Sequence, residues 1–370
     1  MKKSSLYLIA AGCTALASLS SASAQTQASS KPMGYVTYTA LGNSDTWLSL
    51  PVHRKQSFVG KVDSLNGTNE IVVQGAPNWT ANQFVQDLTD DGLGDPIQPD
   101  TYYVLIASGT NFEGRSYEVT ANSANSLTID VGGETISGAG NVENGTAVQL
   151  VPFWTLDTVF LNGDGVHTKT SAFGSNPSEV LLYDPSSIFY KGINPPKEET
   201  YFRLNTQWRR VGAGSSTFNH KPLARDMPLV LRHNISTATE VVNLGIVPTT
   251  AYTTVLQTLL NQTKQDNPVA LNIPVPVTLA GSNLQNSGFE HSAGFSRRDE
   301  LLVVHHTVAD KNRPATDTYY YNNYWRKNGS GSDNFNDELV FTLDTSVIIR
   351  RATNPIGSVV WKMPRPYPVD

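Results

Sequence analysis

The twelve residues 208–219, WRRVGAGSSTFN, recur at 325–336 as WRKNGSGSDNFN, identical at seven of twelve positions. A chain that repeats such a stretch 117 residues later must be read as two related halves before any other fold is considered. The match extends in both directions. Upstream, SAFGSNPSEVLLYD (171–184) parallels SAGFSRRDELLVVH (292–305), and TYFRLNTQW (200–208) parallels TYYYNNYW (318–325) with one residue deleted. Downstream, PLVLRHN (228–234) answers SVIIRRATN (346–354), and VNLGIVP (242–248) answers SVVWKMP (358–364). A weaker echo links SDTWLSLPVHR (44–54) to QDNPVALNIPV (265–275) and FWTL (153–156) to PVTL (276–279). The period is far longer than a solenoid repeat, so the unit is a whole subdomain.

These boundaries divide the chain into a signal peptide (1–24), a linker (25–35), the start of copy 1 (36–56), an inserted module (57–152) and the remainder of copy 1 (153–250). A connector (251–264), copy 2 (265–365) and a tail (366–370) complete it. Within both copies and the insert, short β-branched and aromatic runs lie between turn signals: NEIVVQG, TYYVLIASG, EVLLYD, ELLVVHHTV, TSVIIRRA. Such spacing predicts an all-β fold, two tandem β-rich copies of sandwich or barrel form plus a small β module. Asn66-Gly67 sits where a tight hairpin turn needs positive φ. In the connector, Val255, Leu256, Leu259 and Leu260 would share one face of a helix over 251–263. The two copies are expected to pack about a pseudo-two-fold axis, each covering the other's apolar face. Trp208 and Trp325 would then be equivalent core residues on strands entering hairpins, with VGAG and NGSG as the turns.

Composition matters at the N-terminus. Lys2 and Lys3, an apolar run and Ala22-Ser23-Ala24 have the three parts of a secretory signal peptide. A lipoprotein signal ending at Cys13 is the alternative reading, and the apolar stretch continues past Cys13 as though that residue lay inside it. Cleavage after Ala24 would leave no cysteine, since Cys13 is the only one, and would move the formal charge from −5 to −7. That excludes disulfides, thiolate metal sites and cysteine nucleophiles from the mature chain. No basic cluster marks a nucleic-acid partner, and no later stretch is long and apolar enough for a transmembrane helix. The expected location is the periplasm, the outer cell surface or the medium.

SDTWLSLPVHR, PNWTANQF, SYEVTANSANSLTID, KQDNPVAL, RRDELLVV and TYYYNNYWRKNGSG followed by IIRRAT together resemble a family of exported, β-rich, verrucomicrobial-type proteins of uncharacterised function. The resemblance covers nearly the whole mature chain. It implies export and a β-rich fold, and it brings no activity and no catalytic residues. Copy 1 departs from the family pattern where VLRHN stands in place of the Arg350-Arg351 pair.

Few residues point to chemistry. Glycine turns can form anion-binding nests, but neither WRRVGAGSS nor its copy has the Lys-Ser/Thr ending and following helix of a phosphate loop. There is no G-x-S-x-G elbow and no H-E-x-x-H, and adjacent His305 and His306 would point to opposite faces of a strand. Tyr319, Tyr321, Trp325 and Arg326, with Trp208 and Arg209 in copy 1, are the ligand-binding candidates: aromatic rows beside arginine can grip sugar rings. Their alternative is to pack between sheets, with arginine stacked on tryptophan. Asp90, Asp91 and Asp95 in TDDGLGDPIQPD (89–100) are a weak calcium candidate, carboxylates on a flexible loop without EF-hand spacing. No other cofactor is indicated. The expected function is a non-enzymatic structural or binding protein of the envelope or secreted surface, with polysaccharide or other envelope proteins as partners. The alternative is a lectin-like module or a carbohydrate-active enzyme with its cleft between the two copies.

Overall fold

The computed structural model describes residues 32–92, 94–108, 111–138, 140–187, 190–258, 264–293, 297–352 and 357–367. The signal-peptide reading and most of the linker lie outside them. Regular structure in the described residues is nearly all strand, with one short α-helix, Leu156–Val159, capped reciprocally by Thr155 and Thr158, and two 3-10 turns at Leu161–Gly163 and Leu284–Asn286.

Two five-stranded antiparallel sheets dominate. The first contains β1 (Asp45–Leu48), β2 (Ser178–Leu182), β3 (Glu199–Leu204), β4 (Gln207–Arg210) and β5 (Leu229–His233), in the order β4-β3-β2-β5-β1. The second contains β6 (Gln265–Val269), β7 (Glu300–His305), β8 (Asp317–Asn322), β9 (Tyr324–Lys327) and β10 (Thr345–Arg351), in the order β9-β8-β7-β10-β6. Each strand of one sheet therefore has a counterpart in the same place in the other.

Each sheet packs against its own two-stranded ribbon. In the first half Leu48, Val180, Tyr201, Trp208 and Leu231 meet Val36, Tyr38, Ala40 and Val241, from strands Met33–Ala40 and Thr239–Ile246. In the second, Val269, Leu301, Tyr319, Trp325 and Ile349 meet Tyr252, Leu256, Trp361 and Met363, from strands Tyr252–Leu256 and Val359–Met363. The expectation that each copy covers the other's apolar face is corrected: there are two separate cores, one per half. A five-stranded sheet and a ribbon already form two layers that close around a core, to which the other half adds Leu343 at the edge of the first.

Two further expectations change. The helix predicted over 251–263 is a strand at Tyr252–Leu256, paired antiparallel with Val359–Met363. Tyr252, Thr253, Thr254 and Val255 are aromatic or β-branched and prefer a pleated surface once a partner strand is present. Leu259 and Leu260 lie outside the described residues. The linker is also shorter than expected, because the strand Met33–Ala40 starts inside it.

The insert forms a closed six-stranded barrel from Phe58–Asn66, Glu70–Val73, Tyr102–Ile106, Ser116–Asn122, Ser126–Ile129 and Ala147–Pro152. Gly67, at φ +62°, supplies the positive φ in the turn of its first hairpin. The barrel has its own core, which includes Val62, Ile71, Val104, Ile106 and Ile129. It rests on the second half: Thr253 Oγ1 donates to the Glu113 carbonyl (2.7 Å). A Cβ on Gly114 would lie 2.2 Å from the Ala251 carbonyl oxygen, so only glycine fits there.

Candidate functional site

The repeated Trp-Arg segment builds the same object twice. Trp208 is 1 % exposed and Trp325 is 0 % exposed, each on the edge strand of its sheet. The tryptophan N–H donates to the side-chain oxygen of Asn219 (2.8 Å) in one half and Asn336 (2.9 Å) in the other. The tryptophan carbonyl accepts from Phe218 N–H and Phe335 N–H, both at 2.9 Å. Gly212 and Gly214 have φ of +82° and +62°, and Gly329 and Gly331 have +85° and +63°. The glycines reverse the chain after the edge strand so that Phe-Asn returns beside Trp as a substitute strand. The hairpins that precede each tryptophan turn at Asn205 and Asn323, and VGAG and NGSG are the turns that follow the tryptophan strands, as expected.

This placement governs the aromatic candidates. Tyr319 and Tyr321 do share a face of β8, and that face is the core: Tyr319 is buried, and half-buried Tyr321 packs edge-on to Trp325 at 5.6 Å. Buried Tyr319, Trp208 and Trp325 expose no ring face on which a sugar could stack. Arg326 lies 4.6 Å over Tyr324, not over the tryptophan as the alternative reading supposed, and Arg209 is half-buried on the matching edge strand. Asp90, Asp91 and Asp95 are exposed, and Asp90 Oδ1 accepts from Gly92 N–H (2.7 Å) and Gly94 N–H (2.9 Å). Those bonds, from Gly94 first, hold its carboxyl below the usual carboxylate range. Among the described residues no group of three or more acidic or histidine side chains converges as an ion would require.

A large concavity lies elsewhere, between the non-core faces of the two sheets, with a volume of about 800 Å³. That is within the range of small-molecule and oligomer sites, about 300–1,000 Å³. Equivalent positions line it from both sides: Leu181, Thr200 and Arg232 from the first sheet, Leu302, Thr318 and Arg350 from the second. Arg232 grips Asp45 of β1 through Nε (2.6 Å) and Nη2 (2.8 Å). Arg350 grips Asp266 of β6 through Nε (2.7 Å) and Nη2 (2.9 Å). Hydrogen bonding to the aspartate raises the pKa of each guanidinium.

Each aspartate also receives a loop from the opposite half. Asn194, between β2 and β3, donates its N–H to Asp266 Oδ2 (2.9 Å), and Asn312, between β7 and β8, donates to Asp45 Oδ2 (2.9 Å). Asp266 N–H reaches the Gly192 carbonyl at 2.9 Å, and Asp45 N–H reaches the Asp310 carbonyl at 3.0 Å. Both asparagines have φ of +54°. The two halves are joined by this reciprocal exchange of loops.

One side of the cleft carries aromatic rings and a lysine with no counterpart. Trp47 and Tyr183 are half-buried, 5.9 Å apart, and Lys197 Nζ lies 5.5 Å and 5.4 Å from their centroids. Burial lowers the Lys197 pKa, against the opposing pull of the Asp45 carboxylate and with a smaller push from the Arg232 charge. Comparison with protein-family models, with curated proteins and with solved structures finds no match to this chain.

Apart from Arg350, named with Arg351 in the family pattern, none of these cleft residues was singled out from the sequence. A signal was present: GINPPK (192–197) and DKNRPA (310–315) share Asn-x-Pro at matching places in the repeat, with Asn194 answering Asn312. Asp45 and Asp266 were aligned within the weaker echo but not given a role.

Proposed function

We propose that this chain is an exported, non-enzymatic binding protein of the cell envelope or secreted surface, made of two copies of one ancestral half, whose ligand lies in the cleft between the sheets. The reading rests chiefly on the state of the two carboxylates held by the cleft arginines. Glycoside hydrolysis asks for one carboxyl free to give a proton and another free to attack or to activate water. Asp45 and Asp266 are instead each held by a bidentate arginine and a backbone N–H, the arrangement of a structural clamp. The identical strand order of the sheets and the matched hydrogen bonds around Trp208 and Trp325 support duplication. Half-buried Trp47 and Tyr183 give the cleft ring faces that the core tryptophans lack. Among the described residues no helix is long and apolar enough to cross a membrane.

The test is a glycan-array screen of the mature chain beside Trp47→Ala. Array signal that Trp47→Ala abolishes, with little change in melting temperature, is the expected outcome. Signal unaffected by Trp47→Ala, or turnover of a bound glycan that Asp45→Asn stops, would overturn the reading.

A further inference from the structure

The charge balance of the cleft narrows its ligand, on the premise that the cleft is the binding site. The full chain carries a formal charge of −5, yet four cations line this concavity: Lys197, Arg232, Arg313 and Arg350. Arg232 and Arg350 are matched by Asp45 and Asp266. Lys197 and Arg313 are not matched among the described residues: Lys197 contacts the Trp47 and Tyr183 rings, and Arg313 Nη1 donates to the carbonyls of His305 (2.6 Å) and Val308. The half-buried Lys197 ammonium feels the Asp45 charge but makes no hydrogen bond to it, so among the described residues its donors are unspent and an anion would use them.

We infer that the inter-sheet cleft binds an acidic saccharide, its ring carboxylates placed at Lys197 and Arg313 and a sugar face on Trp47. The saccharide is favoured over an acidic peptide because a flat ring matches the Trp47 and Tyr183 faces. Thr200 and Thr318, at equivalent positions on the two walls, offer hydroxyl partners to a hydroxyl-rich chain. The Lys197 pKa is lowered chiefly by burial, and a ligand carboxylate hydrogen-bonded to the ammonium would raise it.

Calorimetry with a short oligogalacturonate and with its methyl ester separates the possibilities, because the ester removes the charge and keeps the rings. The acid form should bind about tenfold more tightly than the ester, as one charge-assisted hydrogen bond implies. Added salt should narrow that gap, and Lys197→Gln should erase most of it while ester binding persists. Equal affinity for acid and ester would overturn the acidic preference and leave the cleft as a neutral glycan site. Equal affinity for polyglutamate would overturn the saccharide. Binding of neither sugar, with array signal also absent, would count against the cleft as a glycan site altogether.

Discussion

Ser178 and His233 face each other across β2 and β5, in the places that Asp299 and Arg351 take at β7 and β10. In the first half the pair is neutral. The Thr239 hydroxyl donates to the Gly165 carbonyl (2.7 Å), so it accepts from His233 Nε2–H, leaving Nδ1 to accept from the Ser178 hydroxyl (both 2.8 Å). In the second half a fully buried ion pair stands there, Arg351 Nη1 to Asp299 Oδ2 at 2.7 Å. Its remaining capacity is largely used: Asp299 accepts from Ala352 N–H and Glu290 N–H, and Arg351 donates to the Gly288 carbonyl. One backbone frame thus holds either polarity, provided that each buried polar group finds partners within its own half. The comparison also accounts for VLRHN against IIRRA: Arg232 answers Arg350 in the cleft clamp, and His233 answers Arg351 in the interior.

Breaking the charged pair should have the largest effect. Removing one member of a buried ion pair leaves the other charge uncompensated, at a cost of about 3–5 kcal/mol. Asp299→Ala should therefore lower the urea midpoint more than Ser178→Ala, which removes two neutral hydrogen bonds, to His233 Nδ1 and from His167 N–H, each worth about 1 kcal/mol. The double replacement Asp299→Ser with Arg351→His, which copies the first half, should cost less than the sum of its parts in a double-mutant cycle. Strict additivity would show that the two positions are not exchangeable units.

The neutral pair has a pH signature. Burial first, and then the neighbouring His167, lowers the His233 pKa to about 4. The unfolded chain takes up this proton below about 6.5 and the folded chain only below about 4. Between those values the unfolded state holds more protons, so stability falls as pH drops through that window. His306 in the second half is also lowered to about 4, by burial first. His233→Gln should thus remove its own share of the acid sensitivity, on the order of 2 kcal/mol, and leave that of His306. Denaturant titrations at several pH values would check it, and an unchanged pH slope would show that His233 is protonated in the fold.

How much of this was legible beforehand follows from what sequence similarity can report. The Trp-Arg-Gly-turn-Phe-Asn repeat was visible because each of its identical residues satisfies a local demand. Gly212 and Gly214 allow positive φ, Phe218 gives a returning N–H, and Asn219 caps Trp208. The β-rich class followed from short branched runs, and the barrel fills the span read as an insert. The cleft was not legible, because its clamp joins Asn194 to Asp266 and Asn312 to Asp45 across 72 and 267 positions. No local pattern fixes such pairings, and loops that differ at most positions share only Asn-x-Pro. The connector strand was missed for a related reason: at Tyr252–Leu256 a distant partner strand, Val359–Met363, decides the conformation.

The smallest predicted effect tests the feature the two halves share most closely. Asn219 and Asn336 each accept from a tryptophan backbone N–H on an edge strand, at 2.8 Å and 2.9 Å. Where no neighbouring strand exists, the side-chain oxygen takes the place of a ladder carbonyl. Replacing either by alanine should cost about 1 kcal/mol, the net value of one such bond, and the two costs should agree. They should also add in the double variant, since each asparagine serves the core of its own half. Equal and additive midpoint shifts would mean that the halves stay energetically independent at their edges. A much larger shift for Asn336→Ala would mean instead that the second core, which carries the buried ion pair and receives the barrel, supports the whole chain.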